Sequence, residues 1–172
     1  MKDSYQIVCK RREKYINGVN RDFLKIAKDK GLNWLDIGSG DSIRSAYLNT
    51  ILGKKLTVLE PSELLTKDFE CSNPDIKFLR TSIEEIEFLE KFDVISLLWN
   101  VVGHLTNLEA TLKKIYNALH PGGVLYFDTN SPFNLIEYGV RQVVKNFFSK
   151  QEYLKFSWPD SNSESYVLFC KK

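Results

Sequence analysis

The sequence lacks the apolar run of roughly 18 to 20 residues that a membrane-spanning helix needs. Residues 1–14 are polar and charged, which is not the pattern of a secretory signal. We therefore expect no membrane association. A large basic surplus is also missing, because 24 Lys and Arg residues face 22 Asp and Glu residues, a net charge of +2. Proteins that bind nucleic-acid backbone usually carry more or more clustered positive charge, so nucleic acid is not indicated as a partner.

Cysteine is scarce as well. Cys9, Cys71 and Cys170 are odd in number and widely spaced, and they contain no pair at the spacing of a metal site. We expect three reduced thiols, no bound metal and a cytoplasmic protein.

The length of 172 residues corresponds to about one domain. With 43% hydrophobic and 27% charged residues, the composition is that of a globular protein and excludes wholesale disorder. Repeats, low-complexity tracts and linkers are absent from the sequence. We predict a single domain over residues 1–172, with an N-terminal helix in 1–31, a cofactor-binding core in 32–150 and a terminal hairpin in 151–172.

Helical and strand patterns alternate along most of the chain, which is typical of a parallel, doubly wound α/β sheet. Helices are predicted at 11–30, after Ser42, after Ser62, after Ser82, after Thr106 and at 134–149. Capping boxes begin two of them, Ser82 with Glu85 and Thr106 with Glu109. Strands are predicted at 33–37, 55–59, 76–80, 93–99 and 123–129. The last two strands, 152–158 and 165–170, are joined by a link too short for a helical crossover, so they form an antiparallel hairpin. The prediction is a mostly parallel seven-stranded sheet.

A glycine-rich turn, Gly38-Ser39-Gly40, follows the first strand. In doubly wound sheets ligands bind beyond the carboxyl ends of the strands, and glycine lets the backbone approach them closely. Glu60 ends the second strand about 20 residues later, where an acidic side chain can accept hydrogen bonds from a ribose diol. This pattern indicates a cofactor that contains a nucleoside.

Two common cofactor classes do not fit. The third glycine of a Gly-x-Gly-x-x-Gly dinucleotide fingerprint would fall at Ile43, and the Gly-Lys-Ser/Thr of a phosphate-binding Walker loop is absent. Asp36 precedes the glycines, where its charge would repel a pyrophosphate but suits a cationic amino-acid tail. A nicotinamide oxidoreductase on the same sheet is therefore disfavoured.

Five segments, in this order and spacing, resemble the class I S-adenosylmethionine-dependent methyltransferases: LDIGSG, TVLEPS, IKFLRTSIEEI, FDVISLLWNVVGHL and LHPGGVLYFDTN. The resemblance runs from about Arg11 to Lys172 and describes a near-minimal core without a large substrate cap. It implies S-adenosylmethionine as the cofactor. It also implies a set of cofactor-binding positions, which are Asp36, Gly38, Ser39, Gly40, Glu60, Pro61, Ser82, Ile83 and Leu97.

The resemblance gives these positions roles. Asp36 and the Leu97 carbonyl would face the methionine amino group, and the glycine turn would pass under the cofactor. Glu60 would hold the ribose hydroxyls, with Pro61 beside the adenine and Ile83 packed on the adenine face. Asn100 and His104 follow strand four. They would lie near the transferred methyl group and are the candidate catalytic residues.

Two positions depart from the family pattern. Many members have glycine where Ser42 stands; a positive φ there would cost Ser about 1–2 kcal/mol, whereas a helix N-cap would favour it by about 1 kcal/mol. We expect the cap. Ser82 replaces an aspartate that often contacts the adenine amino group, and its hydroxyl would accept that bond more weakly or serve only as a helix cap.

The sequence defines the part of the site that would bind the methyl acceptor less closely. His104 could act as a general base or hold the loop after strand four, and Asn100 could position the nucleophile or cap that loop. An Asn-Pro-Pro-Tyr or Pro-Cys sequence after strand four is absent, which disfavours nucleic-acid bases and favours a small-molecule substrate. Little of the chain is left to form a lid, so we expect an open substrate face or one covered by a homodimer or another partner. The alternative function is a non-catalytic, partner-dependent subunit that binds adenosylmethionine.

Overall fold

A computed structural model of the chain describes residues 33–40, 42–52, 55–66, 73, 76–98, 101–129, 135–157 and 164–172. The predicted N-terminal helix at 11–30 lies outside them. The strands are β1 (Trp34–Ile37), β2 (Leu56–Leu59), β3 (Lys77–Leu79), β4 (Phe92–Leu97), β5 (Leu119–Thr129), β6 (Lys150–Ser157) and β7 (Glu164–Lys171). The helices are α1 (Ile43–Leu52), α2 (Leu108–Ala118) and α3 (Leu135–Lys145), and a 3-10 turn covers Val101–His104.

The strands form one seven-stranded sheet in the order β3-β2-β1-β4-β5-β7-β6. The first five strands in this order, which end with β5, are parallel to one another. Strand β7 lies between β5 and β6 and is antiparallel to both. This confirms the predicted doubly wound α/β fold with a C-terminal antiparallel hairpin. Because β1 pairs with β2 on one side and β4 on the other, the chain reverses direction across the sheet between β1 and β4. Ligands of such sheets bind at this reversal.

Burial of the central strands explains why they are almost entirely apolar. All four residues of β1 and all four of β2 are buried, as expected for strands covered on both faces. The Trp34 ring meets the Tyr126 ring edge to face at 5.4 Å between centroids, which joins β1 to β5 across β4. The sheet centre is therefore a rigid support for the turns at its carboxyl edge.

Three of the differences from the sequence prediction have a clear structural cause. The N-cap of α2 is Asn107, whose side-chain oxygen accepts the N–H of Ala110, and not Thr106. Strand β5 begins at Leu119 instead of Gly123, because Leu119 already pairs with Phe92 before the register shifts. The brief helix expected after Ser82 is a turn over residues 83–85, with the Glu85 N–H bonded to the Ser82 carbonyl.

The carboxyl end of α2 is covered by two lysine side chains. Lys172 donates from Nζ to the carbonyls of Tyr116 (2.6 Å) and Leu119 (2.9 Å), and Lys91 donates to the carbonyl of Asn117. Cations are favourable at this negative end of a helix. Burial, and secondarily the charge of Lys91, lowers the pKa of Lys172. The return of β7 therefore fixes α2 to the sheet.

Cys170 should resist alkylation while the chain is folded. It is fully buried opposite Leu125, and that burial raises the pKa of its thiol to about 12. The thiolate is the reactive form, so iodoacetamide at about pH 8 should leave Cys170 unmodified in the native protein and modify it in denaturant. Peptide mass spectrometry distinguishes the two states. Rapid native labelling of Cys170 would contradict its place in the core.

Candidate cofactor site

The glycine turn lies where β1 ends and is closed by backbone hydrogen bonds. The N–H of Gly38 donates to the Leu59 carbonyl at 2.8 Å, and the N–H of Ser42 donates to the Ser39 carbonyl at 3.0 Å. Gly38 has φ +68° and Gly40 has φ +57°. Both glycines occupy the left-handed region that other residues avoid, so the turn requires glycine before any ligand is considered.

Gly38 is also constrained by a neighbour that the sequence analysis did not single out. A Cβ atom at this position would lie 2.5 Å from Cγ2 of Val101 and 3.1 Å from its Cγ1. Val101 begins the 3-10 turn after β4, so that turn packs directly on the glycine turn. The glycine at 38 serves this close packing as well as its own backbone conformation.

Ser42 corrects the expectation of an unstrained helix cap. It stands immediately before α1, and its carbonyl accepts the N–H of Ala46 at 2.8 Å. Its φ, however, is +60°, the left-handed conformation that favours glycine. The side chain is buried, and its hydroxyl lies 3.2 Å from that of Ser39. The expectation of an unstrained backbone at residue 42 is therefore wrong, and the positive φ of Ser42 costs about 1–2 kcal/mol.

The Glu60 carboxylate links the ends of β1 and β2. Its Oε2 accepts the N–H of Gly40 at 2.9 Å, and its Oε1 accepts the N–H of Ser62 at 3.0 Å. The residue is 7% exposed. A carboxylate offers about four lone-pair positions, so the two bonds from the described residues leave two acceptor positions open. The site thus presents an oriented anion beside the glycine turn.

Asp36 is held in a buried network of hydroxyl groups. Ser45 donates to its Oδ2 and Ser96 donates to its Oδ1, both at 2.8 Å, and Trp34 donates from Nε1 to the Ser96 oxygen at 2.9 Å. The network joins β1 to α1 and to β4, and Asp36 is 1% exposed. The carboxylate therefore has a structural function, and its expected contact with a methionine amino group stays a prediction.

The residues expected around an adenine ring occupy different environments. Ile83 is buried and packs in the main core, which also contains Leu97. Ser82 is partly exposed and Pro61 is exposed, both beyond the carboxyl ends of their strands. All four residues lie after or at the end of β2, β3 or β4, which places them on the same edge of the sheet as the glycine turn.

Glu84 forms a junction that the sequence analysis did not find. Its Oε1 accepts the N–H and the hydroxyl of Thr106, both at 2.6 Å, and the N–H of Asn107 at 3.4 Å. The Thr106 hydroxyl, followed by its N–H, is the main cause that holds the pKa of Glu84 below its ordinary value. A link between residues 22 positions apart has no local sequence signal.

The candidate catalytic residues are only partly described. His104 ends the 3-10 turn and is exposed, whereas Asn100 lies outside the described residues.

Among the described ranges, no three His, Cys, Asp or Glu residues cluster as a metal site would require. Nor does any helix in that part of the chain combine the length and apolar composition of a membrane span.

The strain at Ser42 predicts the effect of two substitutions. Ser42→Ala keeps a Cβ in the left-handed conformation, whereas Ser42→Gly removes it, and both lose the hydroxyl. We expect the glycine variant to be more stable than the alanine variant by about 1 kcal/mol, since glycine's larger unfolded-state entropy offsets part of the relief. Urea unfolding followed by circular dichroism measures the difference. Equal stabilities would contradict a left-handed residue 42.

Known structures with the same architecture were found among methyltransferases. The N-methyltransferase NodS from Bradyrhizobium japonicum superposes with a TM-score of 0.70 at 14% identity, covering 95% of each chain. A complex of NodS with S-adenosylhomocysteine gives a TM-score of 0.70 at 15% identity, covering 95% of this chain and 86% of that one. An amino pentose methyltransferase from Micromonospora echinaspora, with S-adenosylmethionine bound, gives 0.70 at 13% identity, covering 97% and 96%. At these identities the likeness shows the fold.

Sequence comparison gives the family. A ubiquinone biosynthesis O-methyltransferase from Bradyrhizobium sp. strain ORS 278 is 32% identical over 103 residues, which are 58% of this chain and 40% of the relative. The matched part of the chain thus spans two-fifths of that relative's length. The sequence model of a methyltransferase domain family matches residues 9–162. The family expected from the resemblance of the five segments is confirmed, and the chain belongs to the Rossmann-like class I methyltransferase domain family.

Proposed function

We propose that the chain binds S-adenosylmethionine and transfers its methyl group to a small-molecule acceptor. The observation that carries this proposal is the Glu60 carboxylate, buried and aimed by the backbone of the glycine turn. Complexes of related fold contain S-adenosylhomocysteine or S-adenosylmethionine. The bound cofactor would supply a methyl group already activated by its sulfonium.

The residues present fit such a cofactor. The two open acceptor positions of Glu60 match the two hydroxyls of a ribose, which donate in pairs. Ile83 would offer an apolar side chain to the adenine, and Pro61 would lie beside it, while the Ser82 hydroxyl would accept from the adenine amino group. Asp36 supplies negative charge next to the turn, and the Leu97 carbonyl would accept from the methionine amino group.

The acceptor would lie beside the segment that follows β4. His104 is exposed there, where its imidazole can take a proton from an acceptor, and Asn100 would orient the nucleophile. A neutral amine needs no such base, because positioning and exclusion of water supply most of the acceleration. The names of two relatives, which refer to ubiquinone biosynthesis and to an amino pentose, support a small-molecule acceptor.

Replacing Glu60 tests the cofactor proposal. Glu60→Ala removes the acceptor of both ribose hydroxyls, each bond to a charged group contributing about 1.5–3 kcal/mol, so adenosylhomocysteine affinity should fall by about 100-fold or more. Isothermal titration calorimetry measures the loss. Glu63→Ala is the matched control, because Glu63 is an exposed glutamate three positions along the chain.

The same experiment separates binding from folding. Resistance of Cys170 to alkylation shows that the Glu60 variant keeps its core. Unchanged affinity in a folded Glu60→Ala protein would refute the ribose contact. If the unaltered protein binds a nicotinamide dinucleotide and not adenosylhomocysteine, the methyl-transfer proposal fails as a whole.

His104→Ala distinguishes a catalytic histidine from a structural one. Since His104 is exposed, its removal should leave adenosylhomocysteine affinity within about twofold, while a general base contributes about 10²–10⁴-fold to the rate. Labelled adenosylmethionine incubated with a metabolite extract identifies the acceptor on which the rate is then measured. A normal rate with that acceptor would remove His104 from the chemistry.

A further inference from the structure

One contact outside the cofactor proposal joins two loops of the site. A single oxygen of Glu84, in the turn after β3, receives three donors from Thr106 and Asn107, which follow the 3-10 turn after β4. Hydrogen bonds to an ionised acceptor are about twice as strong as neutral ones. This contact lies at the surface, where water screens charge, so its strength comes from three donors meeting one oxygen.

The Glu84 side of this contact is firmly held. The preceding residue, Ile83, is 3% exposed and belongs to the main core. The Glu84 carbonyl also accepts a hydrogen bond from Nζ of Lys114 in α2, at 2.8 Å. Because its carbonyl is bonded to α2 and its neighbour lies in the core, the backbone of Glu84 is a fixed point to which another segment can be attached.

The Thr106 side is held less firmly. None of the four residues of the 3-10 turn Val101–His104 is buried. The N–H of Leu105 reaches the Val102 carbonyl only at 3.4 Å, a long bond. Yet the first residue of this turn, Val101, lies against Gly38 closely enough to exclude a Cβ. Val101, Val102 and Leu105 are only partly buried where they pack against the main core, so the position of the turn also depends on the contact at Thr106.

We propose that Glu84 is a positioning residue that holds the turn Val101–His104 against the glycine turn by bonding Thr106. Through Thr106 it fixes the wall of the site that carries His104, and it joins that wall to the loop that carries Ser82 and Ile83. This inference rests on the proposed function, because it assumes that cofactor and acceptor bind between these loops. Glu84 itself touches neither of them.

The test compares four single variants and one double variant of the full chain with the unaltered protein. Glu84→Ala removes the acceptor, Glu84→Gln keeps a neutral oxygen in place, and Thr106→Val removes one of the donors. Glu87→Ala is the control, because Glu87 is an exposed glutamate of the same loop, 3.4 Å from Lys114. Hydrogen exchange is read at the amides of residues 103–105. Thr106 and Asn107 are left out because their own acceptor is removed.

Glu84→Ala should speed exchange at residues 103–105 by about tenfold or more, while the strands of the sheet exchange as before. Glu84→Gln and Thr106→Val should give intermediate increases, and Glu87→Ala none. The double variant Glu84→Ala with Thr106→Val should not exceed Glu84→Ala alone, because both changes break the same link. Adenosylhomocysteine affinity, measured by calorimetry, should weaken in the same order, by about three- to tenfold for Glu84→Ala.

The outcomes separate the two proposals. If exchange at 103–105 in Glu84→Ala matches that of Glu87→Ala, Glu84 does not position the turn, and the inference is overturned whatever the affinity. If exchange rises in the expected order but adenosylhomocysteine binds none of the proteins, the link is upheld and the cofactor proposal fails. Should Glu84→Ala unfold, Glu84→Gln and Thr106→Val decide between these results.

Discussion

The bond between Glu60 and the N–H of Gly40 is the constraint on which the site depends. It connects the ends of two adjacent parallel strands across 20 residues of sequence, and it does so with a nearly buried charge. A buried carboxylate is stable only when its oxygens receive donors, so the glycine turn must keep its N–H directed at Glu60. The turn is accordingly held by its strand, its positive φ angles and this anion together.

Three carboxylates in this region are satisfied in three ways. Asp36 takes donors from hydroxyl groups within the core, Glu60 takes backbone N–H groups at the sheet edge, and Glu84 takes a backbone N–H and a hydroxyl from another loop. Each carboxylate accepts at least one bond from a residue 20 or more positions away. Asp36 fixes β1 to its neighbours, Glu60 fixes the first two strand ends, and Glu84 extends this order to the segment after β4. Negative charge is thus placed at three points around the site.

The sequence predicted the features that local pattern determines. Apolar β1 and β2, the glycine turn after β1 and the acidic end of β2 were all found from residue type and spacing. Features that depend on distant partners could not be found in this way. Asn107 caps α2, whereas the hydroxyl and N–H of Thr106 are directed at Glu84. The early start of β5 depends on pairing with Phe92, and the packing of Val101 on Gly38 depends on the reversal of strand order.

The cofactor side and the acceptor side of the proposed site also differ in how far local sequence determines them. The proposed cofactor contacts come from turns attached directly to central strands, whose positions follow from the buried sheet. The proposed acceptor side includes the 3-10 turn, which has no fully buried residue and packs on Gly38 and on the edge of the core. Thr106, which follows this turn, is bonded to Glu84. Gly103 and His104 are the exposed residues of this turn, so substitutions at these two positions would alter the proposed acceptor side without removing a contact of the core.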